Sequence, residues 1–388
     1  MDLDLLQATL AQRGQPAFRA QQVWEWAARG ASSYAEMTNL PEALRADLER
    51  SVPLSSLTLE REALARDGTE KALFHTADAR PLEAVLMRYR GGAKHSASVP
   101  NPSRGGAKHS ASVPDPSRGG RHSVCLSSQS GCPLTCSFCA TGSMAFGRNL
   151  TASEILDQAL HFRRKEVSAG HPASPSESDG AVAPPRLDHC VFMGMGEPLL
   201  NLDNVLAACE RLPDIGIHPS STTVSTVGWI PGIDRLAERD GPTIRLALSL
   251  HAPDDALRSE LMPVNERYPL ADVLDACRRW HAARRRRVYV EYLMLGGVND
   301  HYEQAIALAA LLAPRTAFKV NLIPYNPTDS SFEGSSRDAI DAFRSALEER
   351  GVPATVRLTR GRDIDAACGQ LAAGADADAR AASAAPAR

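Results

Sequence analysis

No stretch of about eighteen apolar residues occurs in this 388-residue chain, and its opening MDLDLLQATLAQRG has no basic segment followed by an apolar one. The first absence excludes a membrane-spanning helix and the second a secretory leader, so a cytoplasmic protein that engages no membrane is expected. Nor is there an excess of charge of either sign. With 43 basic against 46 acidic side chains the formal charge is −3, so any grip on nucleic acid must come from local basic surfaces. The eight cysteines lack the scatter of disulfide staples: four fall between Cys125 and Cys139, a clustering that in a reducing compartment points to metal or redox chemistry. What is abundant is ordinary globular material, 43% apolar and 23% charged, enough for one large core and a smaller accessory domain.

Along the chain, residues 1–88 read as a small helical accessory domain with a small β element. FRAQQVWEWAARG carries apolar residues at helical spacing, SSYAEMTNLPEALRADLERS gives a second helical stretch broken near Pro41, and short apolar runs flank a DGT turn at Asp67. Residues 89–117 hold a basic 14-mer, RGGAKHSASVPNPS, from Arg90 to Ser103, repeated from Arg104 to Ser117 with Asn101 replaced by Asp115. A Gly/Ser/Pro-rich duplication cannot bury a core, so it is expected to be a surface insertion without ordered structure. The Ser/Pro/Gly-rich SAGHPASPSESDGAVAPP and the tail at 372–388 are read likewise.

From 118 to 358, short apolar runs near Ser123–Ser127, Cys190–Met193, Thr223–Ser225, Ile244–Leu250, Val288–Leu293 and Phe318–Ile323 alternate with amphipathic stretches. The stretches run over Thr151–Arg164, Asn204–Leu212, Leu270–Ala282, Tyr302–Leu312 and Ser336–Arg350. The first opens with Thr151-x-x-Glu154, a capping box, and the last stops before Gly351, a terminating glycine. Repeated strand–helix units predict a parallel α/β core, and their order suits a partial barrel as well as an open sheet.

The chemistry concentrates in CLSSQSGCPLTCSFCATG, at the loop after the first of these strands, where β/α enzymes gather their sites. Cys132, Cys136 and Cys139 have the spacing to bind three irons of a [4Fe–4S] cluster and leave the fourth without a protein ligand. An open iron is what a catalytic centre needs, and S-adenosylmethionine (SAM) could chelate there for reductive cleavage. The competing reading is a structural zinc site built with Cys125, for which Cys136-x2-Cys139 would serve equally; it lacks the second ligand pair that a zinc module brings at short distance. One strand later, VFMGMGEP ends an apolar run in Gly194, Gly196 and Glu197, glycines that admit a ligand to the backbone and a carboxylate that could pair with an amino group; read alone, it is equally a plain strand-to-loop turn. Ser225, Ser249, Leu250, His251 and Asn326 close further strands. His251 by itself reads as a hydrogen-bonded turn residue, the block Arg284–Arg287 as a solvated helix end, and Cys368, in RGRDIDAACGQL, as an isolated thiol in a polar setting.

Taken together, FRAQQVW, EMTNLP, CLSSQSGCPLTCSFCATG, GRNLTASEI, FMGMGEPLLN, SLHAP, VNLIPYNP and RLTRGRDIDAACGQL resemble, in order and over nearly the whole chain, the RlmN-type 23S rRNA (adenine-C2)-methyltransferases of the radical SAM superfamily. The resemblance implies a partial (β/α)6 TIM-like radical SAM barrel behind a helical accessory domain, with residues 359–371 carrying a methyl-accepting cysteine. It implies a [4Fe–4S] cluster on Cys132, Cys136 and Cys139, and SAM bound by Gly196, Glu197, Ser225, Ser249, Leu250, His251 and Asn326. It further implies Cys368 as methyl acceptor, Cys125 as the residue that resolves a protein–RNA crosslink through a Cys125–Cys368 disulfide, and Glu83 as acid/base. The implied partners are 23S rRNA, in some members a tRNA adenine beside the anticodon, and an electron donor such as flavodoxin or ferredoxin; a monomer is expected. The duplicated 14-mer departs from the family pattern between Glu83 and the barrel. Two rivals stand beside this reading: a Cfr-type enzyme that methylates C8 of the same adenine, and a zinc-stabilised RNA-binding protein without catalysis.

Overall fold

The computed structural model describes residues 1–89, 121–168 and 186–371; the duplicated 14-mer, the Ser/Pro/Gly-rich patch from 169 onward and the tail at 372–388 lie outside them. Three helices open the chain: α1 (Leu3–Gln12), α2 (Phe18–Arg29) and α3 (Glu42–Ser51). The Asp2 carboxylate caps α1 by accepting from Leu5 N–H at 2.9 Å, and Gly30 ends α2 at φ 103°, a conformation that favours glycine. Leu6, Leu10, Val23, Ala27, Tyr34 and Leu48 close a small core of their own. Trp24 turns the other way. Its ring joins the main core and its indole N–H donates to Asp214 Oδ2 at 2.6 Å, bonding the helical unit to the rest of the molecule.

Strands β1 (Leu57–Leu64), β2 (Glu70–Thr76) and β3 (Pro81–Tyr89) form an antiparallel meander. The small β element expected here is thus three strands, and it does not stand apart: β3 pairs antiparallel with β4 (Arg121–Cys125), Val85 opposite Cys125. After the short β5 (Gln129–Ser130) and β6 (Arg148–Asn149), the chain alternates α4 (Ala152–Ser168), β7 (Arg186–Phe192), α5 (Leu202–Arg211), β8 (Thr222–Thr226), α6 (Ile230–Glu238) and β9 (Arg245–Ser249). It continues through α7 (Asp255–Leu261), α8 (Leu270–Arg284), β10 (Val288–Met294), α9 (Tyr302–Leu311), β11 (Phe318–Pro324), α10 (Arg337–Glu349) and β12 (Ala354–Val356). The main sheet has the order β1-β2-β3-β4-β7-β8-β9-β10-β11-β12 and is parallel from β4 onward. Side chains of β7 to β11 line one cleft, so the sheet wraps around it as a partial barrel.

The expected strands from β4 to β11 are all present. The Thr151–Glu154 capping box forms in both directions, Glu154 Oε2 accepting from Thr151 N–H at 2.8 Å and Thr151 Oγ1 accepting from Glu154 N–H at 3.2 Å. Ser336 caps α10 by accepting from Ala339 N–H at 3.1 Å. Helices α6 and α7 and strands β5, β6 and β12 escape sequence reasoning. In α6 the run IPGIDRLAE looks broken by Pro231 and Gly232, but proline is tolerated in a first turn, and Gly232 leaves room for Leu199, whose Cβ would lie 2.6 Å from an added methyl. Helix α7 and strand β12 are too short for a periodicity to register.

One buried clamp positions the loop after β4. Gln158, on α4 and wholly buried, accepts from Ser127 N–H at 2.8 Å and donates to the Ser127 carbonyl at 3.0 Å, replacing a strand partner where the sheet ends. Gln158→Leu leaves both backbone groups unpaired in the interior and is expected to destabilise the chain by roughly 3 kcal/mol in denaturant titration. A loss below about 0.5 kcal/mol would show that the loop holds its shape without the clamp.

Candidate active site

The loop after β4 is fastened to the GMGEP loop after β7 by a set of short bonds. Ser127 Oγ donates to the Glu83 carbonyl at 2.5 Å and accepts from Met195 N–H at 2.8 Å. Ser128 N–H donates to the Met195 carbonyl at 2.9 Å, and Gln129 Oε1 accepts from Glu197 N–H at 2.8 Å. Gly196 has no room for a side chain: at φ 94° an added methyl would stand 2.5 Å from Gln129 Cβ. The glycine and Glu197 therefore reach the cleft as one rigid unit with the cysteine loop.

Cys132, Cys136 and Cys139 line a single cavity of about 520 Å³ together with Phe138, Glu197 and His251. Tight turns hold them, Cys139 N–H donating to the Cys136 carbonyl at 3.2 Å and Gly142 N–H to the Cys139 carbonyl at 2.9 Å. Burial pushes the Cys132 thiol up to about 12 and raises Cys136 and Cys139 as well, so metal binding must displace their protons. Among the described residues no three His, Cys, Asp or Glu side chains converge tightly enough to hold a single ion. Three soft donors spread around a shared cavity suit a multi-iron cluster better than one zinc ion. Cys125, the fourth ligand of the zinc reading, lines a different cavity.

A cleft with about 860 Å³ of space adjoins the thiol cavity and shares Cys139, Gly194, Gly196, Glu197, Ser249 and His251 with it, a size that accommodates a nucleoside cofactor. Glu197 is buried. Its carboxylate accepts from Leu199 N–H and Val227 N–H, each at 2.9 Å, while burial draws its pKa up to about 7. Ser225 Oγ and Ser249 Oγ lie 3.4 Å apart on neighbouring strands. His251 adopts φ 63°, and its Nδ1 accepts from Leu293 N–H at 3.0 Å, so the neutral ring carries its proton on Nε2. Burial, with Arg258 nearby, lowers its pKa to about 3, which keeps it neutral, as expected of a hydrogen-bonded turn residue. Leu250 departs from the expected set: it points into the core on the opposite face of its strand and offers the cleft no side chain.

The segment after β12 folds back over the open side of the sheet. Gly361 N–H donates to Asp67 Oδ2 at 3.1 Å and Arg66 N–H to Asp363 Oδ2 at 3.0 Å. Arg362 donates to Asn326 Oδ1 at 3.0 Å, and Asn326 Nδ2 in turn to the Cys368 carbonyl at 3.2 Å. From the cysteine loop, Ala140 N–H donates to the Gly369 carbonyl at 2.9 Å and Thr141 Oγ1 to the Leu371 carbonyl at 2.6 Å. Asn326 thus holds this strap and faces the second cavity, not the cleft. Cys368 borders both spaces: the cleft on one side and, on the other, a cavity it shares with Cys125, Val85, Met193 and Arg357. Both thiols are free, and burial drives the Cys125 thiol up to about 12.

Glu83 is buried on β3, where its carboxylate pairs with Lys71 Nζ at 3.0 Å; Lys71 also donates to the Asp365 carbonyl of the strap at 3.1 Å. Sequence reasoning missed Arg357, which lines both spaces, faces Cys368 and Cys125 and lies 3.6 Å from Glu291 Oε2. It missed Arg258 too, which lies on α7, a helix too short to register in the sequence. Neither position has a local pattern that separates it from its neighbours.

A parallel α/β partial barrel whose first strand ends in a three-thiol loop beside a nucleoside-sized cleft defines a radical SAM enzyme. Comparison agrees: residues 180–309 match the radical SAM superfamily, and residues 1–53 match the ribosomal RNA large subunit methyltransferase N-terminal domain. A crystal structure of a radical SAM methyltransferase from Sphaerobacter thermophilus superposes with a TM-score of 0.80 at 41% identity, covering 96% of this chain and 98% of that one. The "Dual-specificity RNA methyltransferase RlmN" of Geobacter sulfurreducens is 39% identical over 97% of this chain and 92% of its own. The "Probable dual-specificity RNA methyltransferase RlmN" of Heliobacterium modesticaldum is 43% identical over 94% of this chain and 86% of its own. The chain belongs to the RlmN family of radical SAM RNA methyltransferases, which use a [4Fe–4S] cluster and SAM.

Because burial lifts Glu197 above its ordinary value of 4.5, its contribution to the stability of the ligand-free chain is full at low pH and fades as pH rises toward and through about 7. Relative to Glu197→Gln, the iron-free wild-type chain is expected to lose roughly 2 to 3 kcal/mol between pH 5 and pH 8 in denaturant titration. Parallel pH profiles for the two chains would mean that the carboxyl is solvated in the empty site.

Proposed function

We propose that this chain methylates C2 of an adenine in the peptidyl-transferase region of 23S rRNA, and an adenine beside the anticodon of tRNA, through an S-methylcysteine at Cys368. The observation that carries the reading is the placement of Cys368 in the wall between the Glu197 cleft and the cavity of Cys125. A sulfur there can meet a methyl donor on one face and a second thiol on the other.

In this reading Cys132, Cys136 and Cys139 hold the cluster, and Glu197 pairs with the amino group of SAM while Gly196, Ser225, Ser249 and His251 shape its cleft. Asn326 contributes by holding the strap, and Leu250 through its backbone. Bound together, the cluster and SAM supply a 5′-deoxyadenosyl radical when an electron arrives from a donor such as flavodoxin or ferredoxin. Cys368 would give up its thiol proton and accept a methyl group from a first SAM, which leaves as S-adenosylhomocysteine. The deoxyadenosyl radical would take one hydrogen atom from that methyl group, leaving as 5′-deoxyadenosine, and the carbon radical left on the Cys368 sulfur would add to the adenine; the adduct then gives up one electron to the oxidised electron carrier and its ring proton to Glu83, which leaves a closed-shell thioether. Cys125 then attacks the Cys368 sulfur; a disulfide forms, the sulfur–carbon bond breaks, and the released carbon takes a proton to become the new methyl group. Glu83 is assigned as the acid/base that handles the proton of the adenine carbon, with Lys71 holding its carboxylate in place.

Ribosomal RNA and tRNA treated anaerobically with reconstituted protein, SAM and a reductant should yield 2-methyladenosine by nucleoside mass spectrometry. Exclusive 8-methyladenosine would replace this reading with the C8 chemistry of the Cfr-type enzymes. Cys125→Ala should accumulate a covalent protein–RNA adduct visible on a denaturing gel, whereas Cys368→Ala should form neither adduct nor product. Turnover by Cys368→Ala would sink the methyl-cysteine route.

A further inference from the structure

Arg258, on α7, is wholly buried, and its hydrogen bonds among the described residues go to neutral acceptors. Nε donates to the Leu250 carbonyl at 3.2 Å, Nη1 to Asn265 Oδ1 at 2.7 Å, and Nη2 to the carbonyls of Val227 at 2.5 Å and Ser249 at 3.3 Å. Such acceptors orient a guanidinium without cancelling its charge. Burial brings its pKa down to about 10, so it stays a cation at neutral pH. A buried cation is unfavourable unless an anion shares its surroundings.

The groups that face it narrow the choice. Asp255, on the same helix, is exposed and reaches the guanidinium only through Asn265, its Oδ1 accepting from Leu270 N–H at 2.8 Å and from Asn265 Nδ2 at 2.9 Å, so solvent screens its charge. Cys277, on α8, is a thiol that burial keeps protonated, and His251, after β9, is neutral. Cys136 is the foremost of the facing groups that draw on the guanidinium charge. The two are mechanically joined as well: Ser137, next in the chain after Cys136, donates its N–H to the carbonyl of Leu261 at the end of α7, at 3.0 Å. The carbonyls that Arg258 gathers lie at the ends of β8 and β9, beside Ser225, Ser249 and His251 of the cleft.

We propose that Arg258 is the built-in counter-ion of the iron–sulfur cluster, a positioning residue that stabilises the reduced cluster and braces the two strand ends beneath the SAM cleft. Iron-bound thiolates at Cys132, Cys136 and Cys139 supply the negative charge that the guanidinium lacks. One-electron reduction adds a further negative charge to an assembly that three thiolates already make anionic, and a fixed cation at this depth favours that state. No bond forms or breaks; the electron comes from the external donor.

The test is an EPR-monitored redox titration of the anaerobically reconstituted full chain, wild type against Arg258→Met and Arg258→Lys, with iron content measured alongside. At the wild-type midpoint, Arg258→Met should lower the ratio of reduced to oxidised cluster at least tenfold, about 59 mV for a one-electron couple. Arg258→Lys, which keeps the charge and loses the fork, should stay within about threefold of wild type, about 30 mV on the same scale. An Arg258→Met chain with full iron content that titrates at the wild-type midpoint would overturn the proposal and leave Arg258 a structural brace. Should that chain fail to take up iron, Arg258→Gln, which retains amide donors without the charge, is read by the same two criteria. Wild-type protein that holds no iron would overturn the proposal and the cluster assignment on which it rests, and so separates the two failures.

Discussion

The return of the C-terminal strap across the open side of the sheet is the constraint on which the site depends. The strap supplies Cys368, Gly369 and Leu371 to the wall of the cleft and Ala366, Ala367 and Cys368 to the cavity of Cys125. The strap is held from three directions: by the turn between β1 and β2, by Asn326 after β11, and by Ala140 and Thr141 of the cysteine loop. Those bonds use both the strap's backbone, at Gly361, Cys368, Gly369 and Leu371, and its side chains, at Arg360, Arg362, Asp363 and Gln370. The tether places Cys368 in a wall shared by the cleft and the second cavity. The meander β1–β3 acquires a purpose from this: it extends the sheet past β4 and carries the turn to which the strap is tied.

Charge inside the molecule is distributed to be completed by what binds. Glu197 and the cysteine thiols are held toward their neutral forms by burial, while Arg258 remains a cation in the interior and Arg357, half-buried, lies beside Glu291. On the proposed reading, an ammonium group at Glu197 and metal at the thiols would bring complementary charge. Metal binding at the thiols is coupled to the loss of their protons. The zinc-module alternative does not fit this arrangement, since Cys125 and the three-thiol set line separate cavities and the described side chains offer no tight single-ion nest.

Much of the fold could be read locally. Each parallel strand from β4 to β11 shows as an apolar run, and the capping box of α4 is written in Thr151 and Glu154. Helix α6 hid because Pro231 and Gly232 suggest a break, and the reason for the glycine, contact with Leu199, lies outside the helix. Among the site residues, the GMGEP loop, Ser225 of β8 and Ser249 of β9 line the cleft. Leu250 and Asn326 do not, because the alternation of a strand turns one into the core and the strap claims the amide of the other.

The amino-acid sequence by itself determined the three-cysteine loop, the β/α alternation and the motif series that marks the family, because these are patterns of near neighbours: thiols a few residues apart, periodicities of strands and helices. Only the tertiary structure decided that Cys125 and Cys368 share a cavity, that Arg357 stands beside them, and that Arg258 is a buried cation facing the cysteine loop. Each of these joins residues distant along the chain, and their meeting depends on how the sheet curves and where the strap crosses it, which no local spacing records.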